Sequence, residues 1–185
     1  MRITTKIIFL LLLLSVAAAA KRRDPLTEAE TDQLREAAMD PYNRIKLMVK
    51  FTEARLVAID QVRVDPKLAA ERGKQIHDLL EDFTSLLDEI NDNLDQYEGR
   101  PLNKESVKQY HKGLKELIEA DARFDLKLRT LKSAAETDPV TKKEAPEFRF
   151  VLQDAMEALK SNADVAREYI ETTHEQKSSE SEKKK

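Results

Sequence analysis

Apolar residues recur at steps of three and four through most of this chain, the spacing of one face of an α-helix. The clearest run lies between Gln75 and Gly99. There Ile76, Leu79, Leu80, Phe83, Leu86, Leu87, Ile90, Leu94 and Tyr97 form a single stripe. The same stretch carries eight acidic residues and no Lys or Arg. It needs an apolar surface to cover the stripe and positive charge beside it.

Start and stop signals divide the rest. Thr27-Glu28-Ala29-Glu30 reads as a capping box and predicts a short acidic helix to about Met39. Asp40-Pro41 pairs an N-cap residue with a proline suited to the first helical position, so a long helix should start there and reach about Arg63. Its stripe is Ile45, Val49, Thr52, Leu56 and Ile59, widened by Met48, Ala54 and Val62. Asp65-Pro66 repeats the device and predicts a second long helix, through Gly73 to Glu98. Gly99 fits the position just past its end, and Pro101 blocks continuation.

Asn103 is the next N-cap, for a third helix from about Lys104 to Glu136. Its stripe is Val107, Tyr110, Leu114, Leu117, Asp121, Phe124, Leu128 and Leu131. Thr137 to Pro146 reads as the longest loop, with Asp138-Pro139 and Ala145-Pro146 as breakers. A fourth helix from about Glu147 to Glu175 has the stripe Phe148, Leu152, Ala155, Leu159, Asn162, Ala166 and Tyr169. From Gln176 no apolar residue occurs, which predicts a disordered charged tail over residues 176–185.

Four long one-sided helices with short connections predict an all-α fold over residues 27–175. The expected form is an antiparallel up-down-up-down four-helix bundle with a short extra N-terminal helix. Charge gives a neighbour order. Residues 41–63 have five basic against two acidic residues, and residues 66–98 have three against nine. Residues 104–136 have eight against six, and residues 146–175 have three against seven. In an up-down ring every adjacent pair has opposite sign, whereas the second and fourth helices side by side would repel.

Composition agrees with long helices. Charged residues are 36% of the 185, aromatics 5%, and three Gly and six Pro leave few turns. Absent cysteine excludes disulfides, thiolate metal sites and a Cys nucleophile. The balance of 32 basic and 35 acidic residues gives no pointer to nucleic acid.

The N-terminus adds a compartment. Arg2 and Lys6 precede an apolar run from Ile7 to Val16, and Ala17 to Ala20 offers cleavage positions. This is the pattern of a signal peptide over residues 1–20, with residues 21–26 as a linker. The run is too short to span a bilayer comfortably. Lys21-Arg22-Arg23 beside it opposes translocation, so an uncleaved anchor is the alternative, and the membrane is otherwise not expected as a partner.

Candidate chemistry is sparse. Asp121 and Asn162 interrupt apolar stripes, and a hairpin centred near residue 141 would make them near neighbours. They read as a buried polar pair fixing register, or as a small polar pocket. The histidines are His77, His111 and His174. Glu171 and His174 have the Glu-x-x-His spacing of di-iron bundles, but a core site needs two such motifs, so surface coincidence is the simpler reading. Met48 with His174 has the residue types of a b-type haem pair but lies at the wrong levels. Lys104, Lys108, Lys112 and Lys115 form a stripe that could meet an anionic surface, or simply pair with acidic neighbouring helices. No phosphate loop, nucleophile elbow or H-E-x-x-H occurs.

The sequence thus leads to an exported, periplasmic or secreted helical protein that is not an enzyme, with no catalytic, cofactor or metal residue assigned. Its expected role is a protein-interaction or structural module of the cell envelope, as a monomer or homodimer with an unspecified protein partner. The alternative is a carrier for a metal, haem or small apolar ligand within the bundle. Leu47, Val57, Ile118 and Leu126 lie off the main stripes and would form any exposed apolar patch.

Overall fold

The computed structural model describes residues 24–98 and 103–182, with side chains for 24–97 and 103–172. The expected signal peptide, Gly99 and Pro101 lie outside these. Within them the chain is all-helical, without a strand, and five helices pack against one another. They are α1 (Glu28–Glu36), α2 (Pro41–Val64), α3 (Arg72–Glu98), α4 (Lys104–Thr137) and α5 (Pro139–Glu182). No helix among the described residues is long and apolar enough to cross a membrane.

The starts follow local hydrogen bonding. Thr27 and Glu30 form the capping box, each side chain meeting the other's backbone N–H. Asp40 accepts from the Asn43 N–H and Asn103 from the Ser106 N–H. Two boundaries differ from the sequence reading. Asp65-Pro66 opens a short 3-10 turn over Pro66–Leu68, and the α-helix resumes only at Arg72. The loop expected over Thr137 to Pro146 does not exist. Asp138 accepts from the Thr141 N–H and hydroxyl, caps α5, and leaves Pro139 as its first residue. The same Asp138 donates its own N–H to the Ala134 carbonyl at the end of α4. One residue therefore joins two helices, and Pro146 sits inside α5. The backbone of α5 stays helical to Glu182, past the expected end at Glu175 and into the stretch expected to be a disordered tail.

The core holds most of the predicted stripes, but Ala54 is exposed and Phe51, outside the predicted stripe of α2, is buried in its place. Ile76, Leu80, Phe83, Leu86, Leu87 and Leu94 of α3 are fully buried, as are Leu114, Leu117, Phe124 and Leu128 of α4 and Phe148 and Ala155 of α5.

The side-by-side order is not the expected ring. The extensive seams join α2 with α3, α2 with α4, α3 with α5 and α4 with α5. Consecutive α3 and α4 meet instead across the core. There Phe83 and Phe124 pack edge to face with centroids 5.7 Å apart, and Tyr97 and Tyr110 lie 5.4 Å apart. Contacts advance together along α3 and α5 (Gly73 with Glu147, Asn91 with Asn162, Asp95 with Tyr169), so these neighbours run parallel. They also advance together along α2 and α4, from Ile45–Gly113 through Glu53–Arg123 to Asp60–Lys127. The two basic helices thus lie side by side, and so do the two acidic ones. That is the arrangement the charge argument disfavoured. The physical reason is scale. Exposed ion pairs contribute a few tenths of a kcal/mol each, whereas burying one Leu or Phe side chain contributes about 1.5–3 kcal/mol.

Short α1 lies on α2. Arg55 of α2 donates to both carboxylate oxygens of Glu30, at 2.8 and 2.7 Å, and to the Pro25 carbonyl. Arg44 donates to the Leu34 carbonyl at 2.8 Å and to Asn93 of α3. At the other end Arg72 is buried and donates to the carbonyls of Val62 and Asp65 and to Glu144 of α5.

Candidate functional site

Three kinds of group could carry chemistry: buried polar side chains, the histidine and carboxylate clusters, and the exposed faces.

Asp121 and Asn162 are both buried, as their places in the stripes require. The sequence reading made them near neighbours in a buried polar pair, but no hydrogen bond joins them. Because the chain turns at Asp138 and not near residue 141, the estimated levels shift. Asn162 turns to α3 instead, where its amide N donates to Asn91 Oδ1 at 2.7 Å. Asn91 is the residue the sequence reading passed over. Its only signal was a polar position one step from Ile90 on the acidic helix. Both oxygens of Asp121 are buried without a hydrogen-bond partner among the described residues, as is Asn162 Oδ1. Burial pushes the Asp121 carboxyl up to about 7, against a small opposing pull from Arg167. At neutral pH this group is poised between charged and neutral forms.

Among the described residues, His111 and Glu171 belong to no cluster of three metal-ligating groups. His111 is buried and Glu171 is exposed, while the His174 side chain lies outside the described residues, as does the His174 half of the haem pairing. Met48 is core, 1% exposed. His77 Nδ1 lies 3.0 Å from the Glu147 carbonyl, which accepts from it if that nitrogen carries the proton. Its Nε2 is 3.5 Å from Glu81, and with Asp78 these groups lie within 4.8 Å of one another. This is a half-exposed helical i, i+1, i+4 cluster.

The seam of α2 and α4 is the most distinctive surface. Tyr42, Lys46, Lys50, Glu53, Val57 and Asp60 fall on one stripe of α2. Lys108, Lys112, Lys115, Glu119, Arg123 and Leu126 fall on one stripe of α4. In the lower half the charges cancel: Arg123 lies 3.6 Å from Glu53, and Lys127 lies 2.7 Å from Asp60. In the upper half they do not. Lys112 sits 4.1 Å above the Tyr42 ring and Lys46 5.8 Å from the same ring, so one aromatic holds two ammonium groups. Among the described residues, only Lys108 of the five upper lysines has a carboxylate within ion-pair distance, Glu105 at 3.6 Å. The expected pairing of the α4 lysine stripe with acidic neighbours therefore fails, because the helix beside that stripe is basic α2.

No protein-family model matches the chain, and no curated protein or solved structure matches it.

The off-stripe apolar residues divide in two. Leu47 and Ile118 are half-buried against the core, whereas Val57 is 40% and Leu126 67% exposed. Both exposed residues belong to the α2–α4 seam. The sequence signal was present in the helical steps that put Lys46, Lys50 and Val57 on one stripe of α2 and Lys112, Lys115 and Leu126 on one stripe of α4. It could be read only once α2 and α4 were known to be neighbours.

Proposed function

We propose that this chain is an exported, non-enzymatic interaction or structural module of the cell envelope. Its four long helices act as one bundle, with α1 as an added clasp, and its working surface is the α2–α4 seam. The observation that carries this is the coincidence, on one seam, of five lysines of which only Lys108 has a carboxylate within ion-pair distance among the described residues, and of exposed Val57 and Leu126. Export rests on the signal-peptide pattern of residues 1–20. The sealed positions of Asp121 and Asn162 support binding over catalysis, since a substrate needs access to reacting groups. The central Phe83, Phe124 and Phe148 fill the core with side chains, which supports a surface role over carriage of a ligand inside it.

Site-specific photocrosslinking in cells tests the reading. A probe at Val57 or Leu126 should give discrete adducts, and one at Lys160 on α5 should not. Equal labelling from both faces would remove the reason for choosing the seam.

A further inference from the structure

The seam has a charge pattern that selects among partners. Lys46 and Lys112 meet over Tyr42 near the starts of α2 and α4, and Lys50, Lys108 and Lys115 lie on the same two stripes. The opposite side of the molecule is built from α3 and α5. Helix α3 carries eight acidic residues against two basic ones, and α5 carries ten against six. The chain as a whole is net negative, at −3. A partner that responded to the total charge would be repelled if it were anionic. A partner close to the seam responds to the seam alone. Roughly 20 Å, about two helix diameters, separates the seam from the outer acidic side. This is about twice the Debye length at physiological salt, so the acidic side is screened from anything docked on the lysines.

We infer that the upper α2–α4 seam docks onto an anionic phospholipid surface, with the acidic α3–α5 side facing away. This rests on the proposed role of the seam and names its partner class. The donor set fits such a surface. Lysine is a compact point charge that suits many phosphate positions, whereas arginine's planar fork suits one bidentate acceptor. All five groups are lysines. A bilayer presents continuous negative charge, and each lysine near it strengthens binding about five-fold. An exposed pair with a carboxylate on another protein gives about five-fold at best, and often nothing. The acidic side of a second copy is therefore the weaker occupant. Tyr42 adds an aromatic of the kind that settles at headgroup level. Farther along the seam Val57 and Leu126 offer apolar contact with the boundary below the headgroups.

The test is vesicle co-sedimentation of the purified full chain. One set of vesicles is phosphatidylcholine alone, and the other is equal parts phosphatidylcholine and phosphatidylglycerol. Any binding through the apolar residues 7–16 contributes to both sets, so the ratio of the two partition coefficients is the readout. The wild type should prefer anionic vesicles, and the preference should fall with added salt. Lys46→Glu with Lys112→Glu should lower the ratio by at least about 25-fold. Lys142→Glu with Lys160→Glu makes the same change in net charge on α5 and should leave it in place. Circular dichroism of each variant checks that the helices remain.

No preference for anionic vesicles, or an equal loss in both double variants, would overturn the inference. If vesicles are ignored while the Val57 and Leu126 crosslinks persist, the lipid assignment fails and the seam keeps its role. Loss of both ends the two readings together. Self-association at low salt that Lys46→Glu with Lys112→Glu removes, without vesicle binding, would assign the seam to a second copy and likewise overturn the lipid partner.

Discussion

Gly113 of α4 packs directly against Ile45 of α2, one basic helix on another. A Cβ added at Gly113 would lie 2.8 Å from Ile45 Cδ1 and 3.2 Å from Ile45 Cβ. The absent side chain lets α4 settle against α2. Gly113→Leu should destabilise the protein by about 2–3 kcal/mol through overpacking. Gly113→Ala should be nearly neutral, since a helix-propensity gain of about 1 kcal/mol is offset by contact with Ile45. In an Ile45→Val background, which removes Cδ1, the same alanine should become stabilising. Denaturant melts of the four-member cycle give the coupling, and strict additivity would contradict the close contact.

Asp121 should make the protein more stable on mild acidification. Its pKa is raised to about 7 in the fold, from an ordinary value of 3.8. The folded state therefore holds the proton more tightly across that interval. Its cost is fully present above about pH 7 and gone below about pH 4. The change is up to about 4 kcal/mol. Asp121→Asn should flatten the rise in melting temperature between these limits. Glu30 acts the other way. Hydrogen bonding to Arg55 holds its carboxyl below its ordinary 4.5, so the stability it contributes is present at neutral pH and is lost as the pH falls through the acid range. A wild-type profile flat from neutral pH to about pH 4 would refute the assignment of Asp121.

Arg72 holds three separate segments together. Removing it exposes a fault already present, since Glu144 Oε2 is buried without a partner among the described residues. Arg72→Leu should cost about 3–5 kcal/mol, because Glu144 and two carbonyls lose their donor. Arg72→Leu with Glu144→Leu should recover part of that loss. Equal melting of the single and double variants would show that the stranded carboxylate is not the cause.

The clasp of α1 combines the buried Leu34 and the Arg44 bond to its carbonyl with one nearly sealed ion pair. The Arg55 and Glu30 side chains are only 12% and 13% exposed. Arg55→Ala should release residues 28–36 while α2 to α5 stay folded. Hydrogen exchange should then show loss of protection confined to α1. Global loss would mean that the short helix is part of the main cooperative unit.

Helix starts and stripes were largely legible because their causes lie within four residues. A capping oxygen and the N–H it accepts from are three positions apart, and stripe members are three or four apart. Asp138-Pro139 carries the same start signal as Asp40-Pro41, and the structure uses both. At Asp138 the nearby Ala145-Pro146 suggested a loop, yet Pro146 is accommodated inside α5. Reading Asp138 as a cap would have removed the loop and corrected the levels of Asp121 and Asn162.

The amino-acid sequence by itself determined the all-helical fold, most helix boundaries and most of the residues that enter the core. Only the tertiary structure decided which helices are neighbours. That choice is made by nonlocal packing: the space at Gly113 for Ile45, and the edge-to-face fit of Phe83 and Phe124 across the centre. Solvated charges are too weak to overrule it, so like-charged helices came to lie together. The lysine seam is a consequence of that packing, and no single helix contains it.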